Sequence, residues 1–362
     1  MMARKKIYKI KHYKTGYRRK RSGLKKVLLG LLIAGAVFAA SFLIIGPALD
    51  AMYNKTIEPD SPSSTTNPVG KPTPPVVSSD VETNESEAPS VSAEYRLYRV
   101  TEEELKQVEK HAELVNKLSE EGFTAALIPI RTNENIYFET KNDLAIRTKS
   151  IVDVKLSSLI KALSEKGIKT YGEFSVFMDN AAPPLKYGTA EISMGIQFKG
   201  NLSYLFLDSV SDPEGTFWLS PDSPLAQEYL KALATDVSSL GLDSVILKNF
   251  FYVKNPNAYY KEGINRQETL KTVLSSLNEA FGETETLVET DLESTHSGKP
   301  DELGGKITDI TSSLCLTSET FDENTLNALK ALSGSDVTLL SKELSSEQIE
   351  ALKEIGANVL VG

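Results

Sequence analysis

SPLAQEYLKALATDVSSLGLDSVILKNF, Ser223 to Phe250, encodes a helix, a turn and a strand in 28 residues. Ser223 before Pro224 is a helix start. The hydroxyl can accept from an unpaired N–H of the first turn, and proline lacks an N–H that would have had no partner there. Tyr229, Leu233, Val237 and Leu240 recur at helical spacing. Gly241 then stops the helix, because glycine tolerates the left-handed backbone that closes a helix C-terminus. SVILKNF (Ser244–Phe250) follows as a short apolar run, the pattern of a strand buried in a parallel sheet.

The same helix–glycine–strand order repeats on both sides. Thr101-Glu102-Glu103-Glu104 is a capping box ahead of Leu105, Val108, Ala112, Val115 and Leu118. Gly122 ends that helix before the strand Thr124–Ile130. Leu156, Leu159, Ile160 and Leu163 precede Gly167 and the strand Ile168–Val176. Downstream, a helix from about Asn265 to Phe281 stops at Gly282 and leads to Thr286–Leu292. Ile307–Leu316, Val337–Leu340 and Asn358–Val361 read as further strands, with a helix through Leu326, Leu329 and Leu332, and another opened by the capping box at Ser345. Counting Tyr95–Arg99, this gives eight strands with intervening helices between residues 94 and 362. Strand–helix alternation implies parallel strands. Eight units in a segment of this length predict a (β/α)8 TIM-like barrel, typically about 250 residues long. A doubly wound open sheet is the alternative, and no Gly-x-Gly-x-x-Gly turn or Walker loop supports it.

Upstream of the domain the chemistry changes. Residues 1–26 contain twelve Lys/Arg and no acidic residue, out of 40 basic and 49 acidic residues in the whole chain. Residues 27–49, VLLGLLIAGAVFAASFLIIGPAL, carry no charge, and about 20 apolar residues suffice to cross a bilayer. Basic flanks hold their end of a span in the cytoplasm. The expectation is therefore a basic cytoplasmic tail (1–26), one transmembrane helix (27–49), and a cell-membrane protein whose C-terminal domain lies outside. A cleaved signal peptide is the competing reading, but its apolar region is usually about 7–15 residues. Tyr8, Tyr13 and Tyr17 interleave with the basic residues, yet a span follows at once, so lipid contact rather than nucleic acid is expected. Residues 50–93 read as a disordered linker. Between Asn54 and Ala93, 20 of 40 residues are Pro, Ser or Thr, and no aromatic is present to offset the entropy of ordering.

Several chemistries lack their residues. Cys315 is the single cysteine, so no intramolecular disulfide or Cys-x-x-Cys pair can form. The three histidines, His12, His111 and His296, are too scattered for a metal site, and His111 reads as a solvated helix residue. No nucleophile elbow or phosphate loop is present, and no metal or cofactor is expected. A barrel places reacting groups at the C-terminal ends of its strands. There the sequence offers Arg131, Glu173, Asp179, Lys248, Asn249, Glu289 and Asp291. Carboxylates around one mouth suit glycoside hydrolysis, in which one protonates the leaving oxygen and another attacks or activates water. The domain is acidic throughout, with 42 Asp/Glu against 26 Lys/Arg, so solvated surface is the competing explanation for any one carboxylate. Trp218, Tyr252 and neighbouring aromatics would either stack on sugar faces or pack beneath the loops.

The stretch Phe217–Val253 resembles the signature region of a bacterial putative glycoside hydrolase family with a TIM-barrel fold. That family has a Trp-Val-Asn/Asp-Pro turn, a helix, and then Leu-Gly-Phe-Asp-Glu-Ile-Gln-Phe-Asp-Tyr-Ile-Arg-Phe-Pro. Trp218, Pro221, Leu240, Gly241 and Asp243 match it. Leu159–Asp179 resembles the family's strand ending in Phe-Lys-Asp, with Phe177 and Asp179 matching. Phe123–Phe138 resembles its Val-Ile-Asp-Val-Lys-Asp strand. The departures fall on the acidic centre. Lys248 stands where the family has an acidic residue, Asn249 where it has Tyr, and Phe251 where it has Arg. Pro129 and Arg131 replace an Asp and a Lys, and Glu173 replaces an Arg. An ammonium in place of a carboxylate removes a nucleophile and a general acid, and it opposes an oxocarbenium ion. Lys248 and Glu173 are expected to pair across the mouth.

The resemblance therefore implies a glycoside-hydrolase-like protein that binds cell-envelope glycan without cleaving it. Arg131, Asp179, Trp218, Lys248, Asn249, Tyr252 and Asp291 are its candidate binding residues. Two alternatives stay open: an active glycosidase using a relocated pair, Glu173 and Glu289, and a non-enzymatic envelope scaffold. Nothing in the sequence sets the oligomeric state.

Overall fold

The computed structural model describes residues 94–185, 194–209, 215–318, 321–332 and 335–362. The expected tail, membrane span and linker lie outside these residues. Among the described residues no helix is long and apolar enough to cross a membrane.

Eight strands run through the domain: β1 (Glu94–Arg99), β2 (Ala125–Arg131), β3 (Lys169–Ser175), β4 (Ser244–Lys248), β5 (Glu285–Thr290), β6 (Ser313–Ser318), β7 (Asp336–Ser341) and β8 (Asn358–Val361). Each pairs in parallel with its sequence neighbours, and β1 pairs with β8, which closes the barrel. The connections carry α1 (His111–Glu120), α2 (Leu156–Glu165), α3 (Pro224–Ser238), α4 (Arg266–Phe281), α5 (Glu323–Lys330) and α6 (Ser346–Glu354). Between β5 and β6 the helices are short: Leu292–His296, Pro300–Leu303 and the 3-10 turn Ile307–Asp309. This is a TIM-like (β/α)8 barrel.

Strand side chains alternate between two faces, so each strand feeds two cores. Leu97, Leu127, Tyr171, Ile246, Leu287, Cys315, Leu340 and Leu360, one from each strand, pack inside the barrel. The intervening residues, such as Ala126, Phe174, Leu247, Val288, Leu316 and Leu339, face the helices in the larger core. α3 shows how a helix meets that core. Ser223 caps it by accepting from the Ala226 N–H, and Ala226, Tyr229, Leu230, Leu233, Ala234 and Val237 line its buried face. Gly241 ends this connection at φ +79°, with open space where a Cβ would stand, so its role is backbone conformation rather than room. Asp243 then fixes the register of β3 and β4 by accepting from the Thr170 N–H at 2.8 Å and its hydroxyl at 3.0 Å.

Three expectations need correction. Ile307–Leu316 is not one strand. Ile307–Asp309 forms a 3-10 turn in which the Ile310 and Thr311 N–H groups both bond the Ile307 carbonyl, and pairing begins only at Ser313. Leu292 is not the end of a strand but the first residue of a short helix capped by Asp291. His111 is buried rather than solvated, with Nε2 2.9 Å from the Leu105 carbonyl oxygen. A small antiparallel sheet was also not foreseen: Gln197–Phe198 pairs with Asn201–Leu205 and with Ala258–Tyr259. Its strands of two to five residues show no alternation long enough to read.

Candidate functional site

Two residues beyond the central layer, six strands place another position on the inner face. Around the barrel these are Arg99, Pro129, Glu173, Lys248, Glu289 and Thr317, while Lys342 and Gly362 follow the last residues of β7 and β8. They form the rim of the mouth at the C-terminal ends of the strands, where barrels of this fold carry their sites.

Glu173, Lys248 and Glu289 stand on the adjacent strands β3, β4 and β5. Lys248 Nζ donates to Glu173 Oε1 at 2.8 Å and lies 3.8 Å from Glu289 Oε1. The expected Lys248–Glu173 pair is thus present, and a second carboxylate shares the ammonium. Their side chains are between a fifth and a third exposed. One ammonium reaching both keeps these two oxygens no further apart than the roughly 5–9.5 Å that glycosidase carboxyl pairs span. Burial is the largest influence on Lys248 and disfavours its charge. The two carboxylates outweigh it and raise the pKa above the ordinary lysine value. For Glu289, burial likewise dominates and pushes the carboxyl up. Lys248 pulls against that push, and Glu173 adds to it.

Beside Glu289 opens a cleft of about 390 Å³ lined by Asn249, Asp291, Lys299, Glu302 and Thr317, among others. Asn249 sits at φ +56°, a left-handed position that Asn tolerates better than most residues, and its Nδ2 donates to Ser175 Oγ at 3.1 Å. Asp291 accepts from the Ser294 N–H at 2.8 Å and from Lys299 Nζ at 2.6 Å. Burial pushes its carboxyl up, but the Lys299 and Ser294 hydrogen bonds prevail, leaving it below the usual carboxylate range.

Arg131, Asp179, Trp218 and Tyr252 are elsewhere. Between Pro129 and Arg131 the register of β2 against β3 slips: Pro129 pairs with Glu173, and Arg131 pairs with Phe174. This bulge turns Arg131 out of the barrel, as bulges re-aim side chains. Arg131 Nη2 then donates to Asp179 Oδ2 at 2.5 Å, in an ion pair only 1% and 6% exposed. Asp179 Oδ1 accepts from the Ala181 and Ala182 N–H groups, both at 2.7 Å. The guanidinium also lies over the rings of Phe174 and Tyr229. Trp218 is buried, its ring against Phe251 and its Nε1 donating to Asp208 at 3.1 Å. Tyr252 is fully buried and donates its hydroxyl to Asp222, with Arg266 over its ring. Both aromatics pack beneath the loops, so neither ring is open to stack on a sugar.

Sequence reasoning passed over Arg99, Lys299, Glu302 and Thr317. Arg99 was within reach: it follows Leu97 by two residues in YRLYR, so strand alternation alone puts it on the inner face. Lys299 precedes and Glu302 lies on the helix Pro300–Leu303, whose four residues are too few to show a periodicity. Among the described residues no group of three or more His, Cys, Asp or Glu could hold a metal ion.

No protein-family model matches the sequence, and no curated protein matches it. Solved structures do. A hypothetical protein from Ruminiclostridium thermocellum aligns over 53% of this chain and 96% of its own, at 14% identity and TM-score 0.43. A Flavobacterium johnsoniae chitobiase of glycoside hydrolase family 20 aligns over 74% of this chain and 44% of its own, at 12% identity and TM-score 0.45. A family-20 exo-β-N-acetylglucosaminidase from Vibrio harveyi, solved with N-acetylglucosamine, aligns over 68% and 40%, at 14% identity and TM-score 0.45. The chain spans less than half the length of these two hydrolases. The likeness concerns the barrel fold alone, which the strand topology already establishes.

Proposed function

We propose that this chain is a carbohydrate-binding protein of the cell envelope, built on a glycoside-hydrolase-like barrel that does not hydrolyse its ligand. The observation that carries the reading is Lys248 Nζ lying between Glu173 and Glu289. A glycosidase needs one carboxyl free to deliver a proton and a second free to attack or to activate water. Here the ammonium occupies the hydrogen-bonding edge of one and draws on the other. It also puts positive charge where a developing oxocarbenium ion needs negative charge. Carboxylate and ammonium together remain good partners for sugar hydroxyls, since charge-assisted hydrogen bonds are the stronger ones. In this reading the uncharged segment 27–49 anchors the protein with residues 1–26 in the cytoplasm. Residues 50–93 act as a spacer, and 94–362 carry the ligand outside.

One observation favours a second reading, an active glycosidase. Burial raises the pKa of Glu289, which is what a general acid requires, and Glu173 would then be the nucleophile.

The test is binding of the detergent-solubilised full chain to an array of envelope glycans, beside Lys248→Met. Saturable binding that weakens at least tenfold in the variant is expected. No binding to any glycan, together with a stoichiometric co-purifying protein, would replace the reading with an envelope scaffold.

A further inference from the structure

The cleft of about 390 Å³ beside Glu289 has a lining that the ion pairs of the mouth do not use up. Phe251, Leu303 and Ile307 give it apolar surface. Phe251 is partly exposed, and its ring lies against the buried Trp218 with the centroids 5.5 Å apart. Trp218 is itself held by its bond to Asp208, so Phe251 rests on a fixed neighbour. Glu289 and Glu302 reach the same cleft, with side chains 24% and 25% exposed. Lys248 donates to Glu173 at 2.8 Å and stays 3.8 Å from Glu289. Lys299 donates to Asp291 at 2.6 Å and stays 3.7 Å from Glu302. Among the described residues, neither the Glu289 nor the Glu302 carboxylate accepts a hydrogen bond. Two carboxylates largely out of water thus keep their acceptor capacity in one cleft with an aromatic wall.

We infer that this cleft seats one uncharged pyranose of the ligand, with a C–H face of the ring on Phe251 and hydroxyls donating to Glu289 and Glu302. This rests on the carbohydrate-binding reading above and adds a seat and a class of sugar. A pyranose carries an apolar C–H face and a rim of hydroxyl donors, and small-molecule pockets likewise pair apolar and aromatic walls with a few polar groups. Phe251 offers a flat surface already fixed by Trp218, so little side-chain freedom is lost on binding. Carboxylates accept the stronger, charge-assisted hydrogen bonds. Charge sets the class. Among the described residues, Glu289, Asp291 and Glu302 line the cleft with one cation, Lys299, which already serves Asp291. A uronate or sugar phosphate would add negative charge among carboxylates partly shielded from water, where repulsion is stronger than in bulk solvent. A free amino sugar would bring a third cation beside Lys248 and Lys299, which already flank the two acceptors.

Trp218 is the single tryptophan of the chain and touches Phe251, so its fluorescence reports occupation of the cleft. The detergent-solubilised full chain is titrated with two backbone-matched pairs, and calorimetry measures binding independently. Methyl-esterified tetragalacturonate is set against tetragalacturonate, and chitotetraose against its de-N-acetylated form. The uncharged member of at least one pair is expected to shift Trp218 emission saturably and to bind about tenfold more tightly than its charged counterpart. Phe251→Leu keeps apolar volume without the flat face, and it should weaken that binding about tenfold with the unfolding transition retained. Glu302→Gln, which leaves the packing alone, should weaken it about threefold and decides the matter if Phe251→Leu does not fold. Binding with Trp218 emission unmoved, equal or tighter binding of the charged members, or full affinity in the folded variants overturns the inference while leaving carbohydrate binding in place. No binding of any probe overturns both.

Discussion

Two ion-paired clusters border the same wall of strands, and they differ in almost everything but their chemistry. At the mouth, Lys248 bridges Glu173 and Glu289, and all three side chains stay partly exposed. Behind the wall, Arg131 and Asp179 pair almost completely out of water. One irregularity separates them, the register slip after Pro129 that turns Arg131 toward the helices. Water decides what each cluster does. At the mouth a ligand can compete for the charges, so the cluster can bind. Behind the wall neither charge can be uncovered without leaving the other stranded, so that pair holds β2 against the loop after β3.

The sharpest way to break this contrast is Arg131→Ala. It strands a buried carboxylate and should cost about 3–5 kcal/mol of stability in urea unfolding. A loss below 1 kcal/mol would mean that the pair is not buried as described. Replacing both partners, Arg131→Met with Asp179→Leu, should recover most of that loss, since a buried pair exchanged for apolar groups of similar volume is often neutral. Lys248→Met should move stability by only about 1 kcal/mol or less, as a partly exposed pair does. It should also push the Glu289 pKa further up, because the ammonium now opposes the effect of burial. Carboxyl NMR titration reads this directly, and a downward shift would contradict the geometry.

The pH dependence has a definite sign. A carboxyl whose pKa is raised in the folded state holds its proton more tightly there than in the unfolded chain. Glu289 therefore contributes stability that is fully present below the unfolded value of about 4.3 and is lost as pH rises through the raised folded value. The difference in stability between the protein and Glu289→Gln, followed by urea unfolding from acid to neutral pH, should shift against the native carboxyl as pH rises. The smallest effect belongs to the exposed Lys231–Glu279 pair at 2.7 Å, where Lys231→Ala should leave the urea midpoint unchanged within the scatter of repeated titrations.

The sequence made the regular parts of the molecule legible. All eight strands overlap the runs the sequence offered, although the sixth begins at Ser313 rather than Ile307, and the rule that barrels carry their sites at strand C-terminal ends pointed to Glu173, Lys248 and Glu289. Arg131 was misplaced because a bulge leaves no trace in the alternation of AALIPIR, whose residues are buried throughout. Trp218 and Tyr252 were misjudged for a related reason. Whether an aromatic on a loop faces solvent depends on the loop that folds over it, and partners such as Asp208 and Asp222 cannot be read from spacing. Asp291 was placed at the mouth correctly, but its work as a helix cap and as the partner of Lys299 depends on a turn with no periodic signal.

The central claim is that an ammonium between two carboxylates leaves a barrel that holds glycan without cutting it. Release of new reducing ends from isolated cell walls by the full chain, measured beside Glu173→Gln, tests it most directly. The account predicts no release by either protein under conditions where the glycan is bound. Release by the native chain that disappears in Glu173→Gln would contradict it and would show a working glycosidase in spite of Lys248.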